Sequence, residues 1–261
     1  MSSTSAPAEH TLAGQPLPLS AHLTSIATST HLHYLEHALT LAQLSPPKPT
    51  NYRVGAVIVS FPSSSHPQHD DPAAASSSPG LDDSSGVAQK NETNRHASGN
   101  GSEHVAGTIL STGYTLELPG NTHAEQCCLL KLASLHNLPE SRVGEVLKPQ
   151  HSQPSTSITT TSTNPTSPSS QIVVLYTTME PCTHRLSGNA PCVERILNTK
   201  DSKGGQAIDM VVVGVEEPDT FVKRNEGRAR LEERGVRVVN VGDAGLEERI
   251  LRVAKEGHVD G

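Results

Sequence analysis

The chain has few of the residues that nucleic-acid-binding and membrane proteins need. Its 261 residues include no Trp, 2 Phe and 4 Tyr, and its formal net charge is -7. Phosphate binding needs basic patches and base stacking needs aromatic faces, so we expect no nucleic-acid partner. No apolar run approaches the roughly 18 residues that span a bilayer, so we also expect no membrane partner.

We also expect no secretory signal at the start of the sequence. The first residues, MSSTSAPAEHTLAGQPLPLS, lack the basic start and the apolar stretch of a secretory signal. We therefore expect a cytoplasmic protein. In that compartment the 4 cysteines are more often thiols or metal ligands than disulfides.

Three segments have too few apolar residues to build a core. Residues 1–29 are polar and contain proline, 61–106 are rich in Ser, Asp, Asn and Pro, and 138–170 contain SQPSTSITTTSTNPTSPSS. Such composition cannot bury enough apolar surface to offset the entropy lost on ordering. We predict a disordered lead-in over 1–29 and one domain over 30–261, with low-complexity insertions at about 61–106 and 138–170.

The remaining roughly 150 residues, an ordinary size for one domain, alternate between strand and helix patterns. Short apolar, β-branched runs predict strands at 53–60, 107–117, 171–179, 209–215 and 236–241. Apolar residues at helical spacing predict helices at 31–44, from about 123, and at 191–199, 226–235 and 245–257. This order favours a three-layer α/β/α fold with a central mixed sheet of about five strands.

Two separate motifs together predict a metal site. GNTHAEQCCLLKL (120–132) places His123 and Glu125 at the start of a predicted helix, and TTMEPCTHRLSGNAPCVERIL (177–197) supplies Cys182 and Cys192. Three protein ligands and an open fourth position are typical of a catalytic zinc. We predict His123, Cys182 and Cys192 as zinc ligands. Glu125 would move a proton of the bound water, whose pKa zinc lowers towards about 7.

Cys127 is an alternative metal ligand in this reading. It lies one helical turn after His123, on the same helix face, and could therefore reach the metal. A small buried thiol in the core is the preferred interpretation.

The motifs resemble the zinc-dependent cytidine-deaminase superfamily, with HAE at His123–Glu125 and PC at Pro181–Cys182. Nine residues separate Cys182 from Cys192, where the general signature has two. The expanded EPCxxxxxGxxPC loop resembles the riboflavin-pathway pyrimidine deaminases. The segments PGNTHAEQC, MEPCTHRLSGNAPCVERIL and VGVEEPDTF resemble their fungal branch.

This resemblance implies a cytidine-deaminase-like fold with Zn2+ as cofactor. It implies hydrolytic deamination of 2,5-diamino-6-(ribitylamino)pyrimidin-4-one 5′-phosphate at the 2-amino group, in riboflavin biosynthesis. The products would be ammonia and 5-amino-6-(ribitylamino)uracil 5′-phosphate. The partner is thus a small phosphorylated pyrimidine, and we further expect a homodimer.

Five residues are candidates for binding this substrate. In the loop between the cysteines, His184, Arg185 and Ser187 suit a phosphate, because cations, hydroxyls and exposed backbone N–H groups bind anions. A loop that only spans the two ligands is the alternative. The resemblance assigns Asn51 to the sugar-like chain, although it also suits a turn. Val54 would pack against the pyrimidine ring or belong to the core.

Two other functions stay open at this point. The first is another nucleobase or tRNA deaminase of the same fold, although action on RNA would need a basic surface. The second is a catalytically inactive zinc-binding partner subunit. Such a subunit would be expected to have lost the carboxylate that this chain keeps at Glu125.

Overall fold

The computed structural model describes residues 26–62, 107–149, 171–217 and 226–258. They carry six α-helices and five strands: α1 (Thr28–Ala42), β1 (Gly55–Pro62), β2 (Thr108–Tyr114), α2 (Ala124–Leu135), α3 (Gly144–Leu147), β3 (Gln171–Met179), α4 (Cys192–Asn198), β4 (Met210–Val215), α5 (Gly227–Glu233), β5 (Arg237–Asn240) and α6 (Ala244–Ala254). A short 3₁₀ helix, Glu140–Arg142, precedes α3. Every strand and helix predicted from the sequence is therefore confirmed, and α3 is additional.

The strands form one mixed sheet in the order β2-β1-β3-β4-β5. β1 pairs antiparallel with β2 and β3, whereas β3, β4 and β5 run parallel to one another. β4 is buried along its whole length and β3 is buried after its first residue. Near-continuous apolar strands of this kind are typical of parallel sheets that are covered on both faces.

Alternate residues of the strands belong to two separate cores, one on each face of the sheet. Val173 and Leu175 of β3 belong to the core that also contains residues of α2, α3, α4 and α5. Val174 and Tyr176 belong to the core shared with α1 and α6. The period of two along a strand sends neighbouring side chains to opposite faces. The predicted three-layer α/β/α fold with five strands is therefore confirmed.

The predicted boundaries of the polar segments need correction. α1 already begins at Thr28, and β1 continues to Pro62 because Phe61 pairs with Ile172 of β3. The start of the second insertion at 138 is placed too early, because Val143 and Leu147 are fully buried in the core. Val143 and Leu147 are one helical turn apart, so they face the same core together. The rest of the predicted lead-in and insertions, 1–25, 63–106 and 150–170, lies outside the described residues.

None of the helices among the described residues combines the length and the apolar character needed to cross a membrane.

The parallel part of the sheet creates the place for a site. Met179 and Val215, the last residues of β3 and β4, are paired neighbours, and Glu180 N donates a hydrogen bond of 2.9 Å to Val215 O. The loops that follow both strands therefore leave the sheet at the same edge. In open α/β sheets, ligands bind at the carboxyl ends of the strands.

Candidate metal centre and its pocket

The three predicted ligands converge, although the first and the last are 69 positions apart in the sequence. His123 Nδ1 lies 3.5 Å from Cys182 Sγ and 3.5 Å from Cys192 Sγ. All three ligand atoms lie within 4.8 Å of one another, which makes this group able to hold a metal ion. Both cysteines are buried, while His123 is partly exposed. The arrangement leaves one side of the group open towards a pocket that His123 and Cys182 line.

Three elements bring these residues to one edge of the sheet. His123 is the N-cap residue of α2, Cys182 follows β3 after two residues, and Cys192 opens α4. A Cβ atom at Gly113 of β2 would lie only 2.3 Å from Ala124 O. The glycine therefore lets β2 lie directly against the first turn of α2. Negative charge is favoured at a helix N-terminus, which suits thiolate and carboxylate groups at these positions.

Hydrogen bonds within the group prepare one thiol for ionisation. Cys192 N donates to Cys182 Sγ at 3.4 Å. Hydrogen bonding from Cys192 and, after it, from His123 lowers the pKa of Cys182 to about 4, against the opposing effect of burial. A metal ion binds the thiolate rather than the thiol, so this environment favours metal binding.

Glu125 lies beside the ligands without being one of them. Its side chain is buried, with 3% exposure, yet it lines the pocket. Glu125 Oε2 lies 3.4 Å from Cys192 Sγ, and Oε1 lies 3.4 Å from Thr177 Oγ1. Burial raises the pKa of Glu125 above its usual value. A carboxyl group in such a place can take up and return a proton.

The two other cysteines lie apart from the metal group. Cys127 and Cys128 are fully buried, and Cys128 Sγ contacts Ala56 O at 3.4 Å inside the core. Within the described ranges, the cluster able to hold a metal contains neither of them. Burial raises the pKa of both thiols, which keeps them protonated. The preferred interpretation of Cys127 as a core thiol agrees with this placement.

One pocket, with an empty volume of about 890 Å³ that includes space open to solvent, connects the candidate residues. It is lined by all five predicted substrate contacts, which are Asn51, Val54, His184, Arg185 and Ser187. Cys192, which is fully buried, is the one predicted site residue outside the lining. Val54 lines the pocket and also packs against both cores, so its two interpretations are compatible.

Arg185 joins the loop between the cysteines to the start of α2. Its side chain is buried, its Nη1 donates to Gln126 Oε1 at 2.9 Å, and its Nη2 donates to the carbonyl of Asn121. Asn121 Oδ1 in turn accepts a hydrogen bond of 2.7 Å from Asn51 Nδ2. The guanidinium therefore braces the turn before His123 as well as placing positive charge at the pocket.

Several lining residues were missed by the sequence reasoning. They include Asn121, Glu180 and Glu217, all of which line the pocket. Asn121 had no signal, because an asparagine after glycine in a loop is ordinary turn sequence. The sequence did contain a signal for Glu180 and Glu217. Each follows the carboxyl end of a predicted parallel strand, where ligand-binding residues collect.

Comparison with known proteins agrees with the geometry of the site. No family model matches the chain. A curated relative from Schizosaccharomyces pombe, a diaminohydroxyphosphoribosylamino-pyrimidine deaminase, is 36% identical over 152 residues. These residues are 58% of this chain and 28% of the relative, so the chain spans less than a third of that protein's length.

Solved structures resemble the chain over most of its length. The Aspergillus oryzae Rib2 deaminase, crystallised at pH 4.6 as a C-terminal deletion mutant, is 39% identical with a TM-score of 0.57, covering 87% of this chain and 92% of that chain. The same deaminase in complex with DARIPP is 37% identical with a TM-score of 0.56, covering 88% and 92%. A relative of this identity, covered to 92% of its length, shows that the chain belongs to the cytidine-deaminase-like deaminases of the riboflavin pathway.

Proposed function

We propose that this chain catalyses the zinc-dependent hydrolytic deamination of 2,5-diamino-6-(ribitylamino)pyrimidin-4-one 5′-phosphate at the 2-amino group. The products are 5-amino-6-(ribitylamino)uracil 5′-phosphate and ammonia. The observation that carries the proposal is the convergence of His123, Cys182 and Cys192 beside a buried Glu125 in one pocket. The Rib2 deaminase bound to DARIPP supports a phosphorylated pyrimidine as the ligand.

Zinc is the metal that fits this donor set best. A ligand set of one imidazole and two thiolates suits zinc, and Zn–N and Zn–S bonds in a tetrahedron place N and S about 3.6 Å apart. His123 Nδ1 lies 3.5 Å from each of the two cysteine sulfurs, which agrees with that separation. When bound, zinc supplies a water molecule of lowered pKa at the open position.

Glu125 supplies the proton transfers in this proposal. Its carboxylate takes the proton from the attacking water and gives it to the departing 2-amino nitrogen, so that ammonia leaves. Thr177 keeps the carboxylate in place: its hydroxyl lies 2.9 Å from Met179 O and 3.4 Å from Glu125 Oε1. Glu125 belongs to α2 and Thr177 to β3, so the carboxylate is held on rigid elements.

Other residues of the pocket lining suit the hydroxylated, phosphorylated chain of the substrate. Asn51 would contact the ribityl hydroxyls, and Val54 would pack against the ring. His184, Arg185 and Ser187 would bind the phosphate, because a guanidinium, an imidazole and a hydroxyl are good phosphate donors. A cytoplasmic location and a homodimeric state, both expected from the sequence, stay predictions.

The test is incubation of the zinc-loaded chain with this diaminopyrimidine phosphate, following ammonia release and the change in ultraviolet absorbance. We expect catalytic turnover that ends at the uracil product. Ammonia released from cytosine, guanine or tRNA instead would support another deaminase of the same fold. Bound zinc without ammonia from any of these compounds would support an inactive partner subunit.

A further inference from the structure

Arg185 is a buried cation whose hydrogen-bond partners are neutral. The residue is 8% exposed, and its Nη1 and Nη2 donate to Gln126 Oε1 and to the carbonyl of Asn121. Its Nε is buried and has no hydrogen-bond partner among the described residues. A buried charge is unfavourable unless an opposite charge lies beside it. The described protein atoms therefore fix the position of this guanidinium without neutralising it.

Two other largely buried arginines do have a counter-ion. The side chain of Arg53 is 7% exposed and pairs with Glu256. The side chain of Arg195 is 12% exposed and pairs with Glu140. Among the residues that the structure describes, no ion pair includes Arg185, although Arg185 lines the pocket. The pocket therefore contains a guanidinium charge that a bound anion can neutralise.

Gln126 supplies one of the two neutral acceptors. It is the third residue after His123, the N-cap of α2, and it is 7% exposed. Glu and Gln are both favoured at this position of a helix, and a negative charge there also interacts favourably with the helix dipole. A Glu at this position would therefore suit the helix and would form an ion pair with Arg185. The neutrality of the side chain is not a requirement of the helix.

We propose that Gln126 sets the anion specificity of the pocket, because it fixes the guanidinium of Arg185 through a neutral acceptor and leaves the positive charge to the substrate phosphate. This inference rests on the proposed function. Gln126 does not line the pocket, so it is a positioning residue that acts through Arg185. Charge-assisted hydrogen bonds are roughly twice as strong as neutral ones, so the phosphate gains most from a guanidinium that no carboxylate has neutralised.

Gln126→Glu tests this inference in the zinc-loaded full chain, with Gln171→Glu as the matched control. Gln171 is exposed and begins β3, at the end of the strand opposite the metal group. The measurements are zinc content, and kcat and KM for the diaminopyrimidine phosphate and for its dephosphorylated form. We expect Gln126→Glu to keep zinc and to raise KM for the phosphorylated substrate about tenfold or more, because the new carboxylate neutralises Arg185. KM for the dephosphorylated substrate should change little, and Gln171→Glu should resemble the wild type.

Gln126→Met separates the charge of Arg185 from its hydrogen bond, because it removes the acceptor and adds no charge. We expect Gln126→Met to raise KM for the phosphorylated substrate less than Gln126→Glu does. If the hydrogen bond alone mattered, the order would be reversed, because a carboxylate still accepts the bond and a methionine side chain accepts it only weakly. The reversed order would overturn the inference. Equal rises in KM for the two substrates in Gln126→Glu would also overturn it, because they indicate a structural role.

Asn189→Asp provides the same test from the loop if Gln126→Glu does not fold. Asn189 is exposed and does not line the pocket, and its Nδ2 lies 3.4 Å from the same Asn121 carbonyl that Arg185 contacts. A carboxylate at this position should also raise KM for the phosphorylated substrate and leave KM for the dephosphorylated one nearly unchanged. Unchanged constants for both substrates would contradict the inference.

The dissociation constants of the phosphorylated and dephosphorylated uracil products repeat the comparison without turnover. Gln126→Glu should weaken binding of the phosphorylated product and leave binding of the dephosphorylated product nearly unchanged. A wild type that binds the phosphorylated product but releases no ammonia contradicts the proposed function, and the dissociation constants then decide the role of Gln126. An active wild type whose Gln126→Glu variant has unchanged constants contradicts only this inference.

Discussion

The two helical layers that cover the sheet differ in what they contribute. In the layer formed by α2 to α5, here called the ligand layer, α2 begins beside His123 and Glu125, and α4 begins with Cys192. The opposite layer, α1 and α6, buries an aromatic cluster in which the rings of Tyr34 and Tyr176 lie 5.0 Å apart. Both layers bury a comparable apolar core, yet the proposed chemistry lies with one of them.

The two layers differ because their polar side chains have different partners. In the opposite layer, His31 Nδ1 lies 3.0 Å from the hydroxyl of Tyr176, so both polar groups are paired inside the core. In the ligand layer, His123, Glu125 and Cys182 line a pocket and keep coordinating or proton-transferring atoms available to a ligand. Substitutions in the ligand layer near the pocket should therefore change catalysis, and those elsewhere should change stability.

The largest effect is expected from removing a metal ligand. Cys182→Ser or Cys192→Ser leaves two strong protein donors, too few for a stable site. Purified wild type should contain about one zinc per chain, and each variant should lose both the zinc and the ammonia-releasing activity. Metal analysis of the purified proteins checks this, and a variant that keeps its zinc would contradict the assignment. Cys127→Ser is the control and should keep the metal.

The next largest effect should come from Glu125. Glu125→Gln removes the proton-transferring group and leaves the ligands in place, so zinc content should stay while kcat falls by about 10²–10⁴-fold. Steady-state kinetics and metal analysis on the same preparation give both quantities. Retention of more than a tenth of the wild-type rate would reject the proton-transfer role.

Arg185 should affect binding more than turnover. If Arg185 binds the phosphate, Arg185→Ala should raise KM for the phosphorylated substrate. KM for the dephosphorylated substrate should change little. Arg185 also donates hydrogen bonds to Asn121 and Gln126. Arg185→Lys is therefore the matched variant, because it keeps the positive charge but loses the paired guanidinium hydrogen bonds. Equal losses on both substrates, with either variant, would assign the residue to bracing alone.

The substitution Leu147→Ala tests whether the effect on catalysis depends on the layer or on the distance from the pocket. Leu147 belongs to the core of the ligand layer but does not line the pocket. Leu147→Ala should lower the free energy of unfolding by about 2–5 kcal/mol and leave KM unchanged. Denaturant unfolding measures the loss. A deletion of the Ser- and Thr-rich residues 151–168 is the comparison, and we expect it to change stability little.

The smallest effect is expected from His31 in the opposite layer. Burial, with a smaller contribution from the charge of Arg237, lowers the pKa of His31 from 6.5 to about 4. Between these two values the unfolded chain binds more protons than the folded one, so stability should fall as the pH falls from about 6.5 towards 4. His31→Gln should flatten this part of the Tm profile and leave activity at neutral pH unchanged. An identical profile in the variant would exclude His31 as the titrating group.

Much of the fold could be predicted because its signals are local. The β-branched run at 171–179 and the helical spacing at 245–257 are visible within single elements, and both predictions are confirmed. The segment 140–147 was missed because its apolar side chains, Val143, Val146 and Leu147, are few and stand among polar neighbours. Three apolar side chains in a short window do not distinguish a packed turn from a loop.

The sequence by itself determined which residue types can hold a metal. His123, Cys182 and Cys192 are recognisable because the softness of a nitrogen or sulfur ligand is a property of the side chain itself. Only the tertiary structure decided which further residues share the pocket. Asn121 and Glu217 are far apart in the chain, and both line the pocket because parallel pairing places the ends of β3 and β4 at one edge, where α2 also begins. Such pairings depend on long-range contacts and loop closure, and no local pattern in the sequence encodes them.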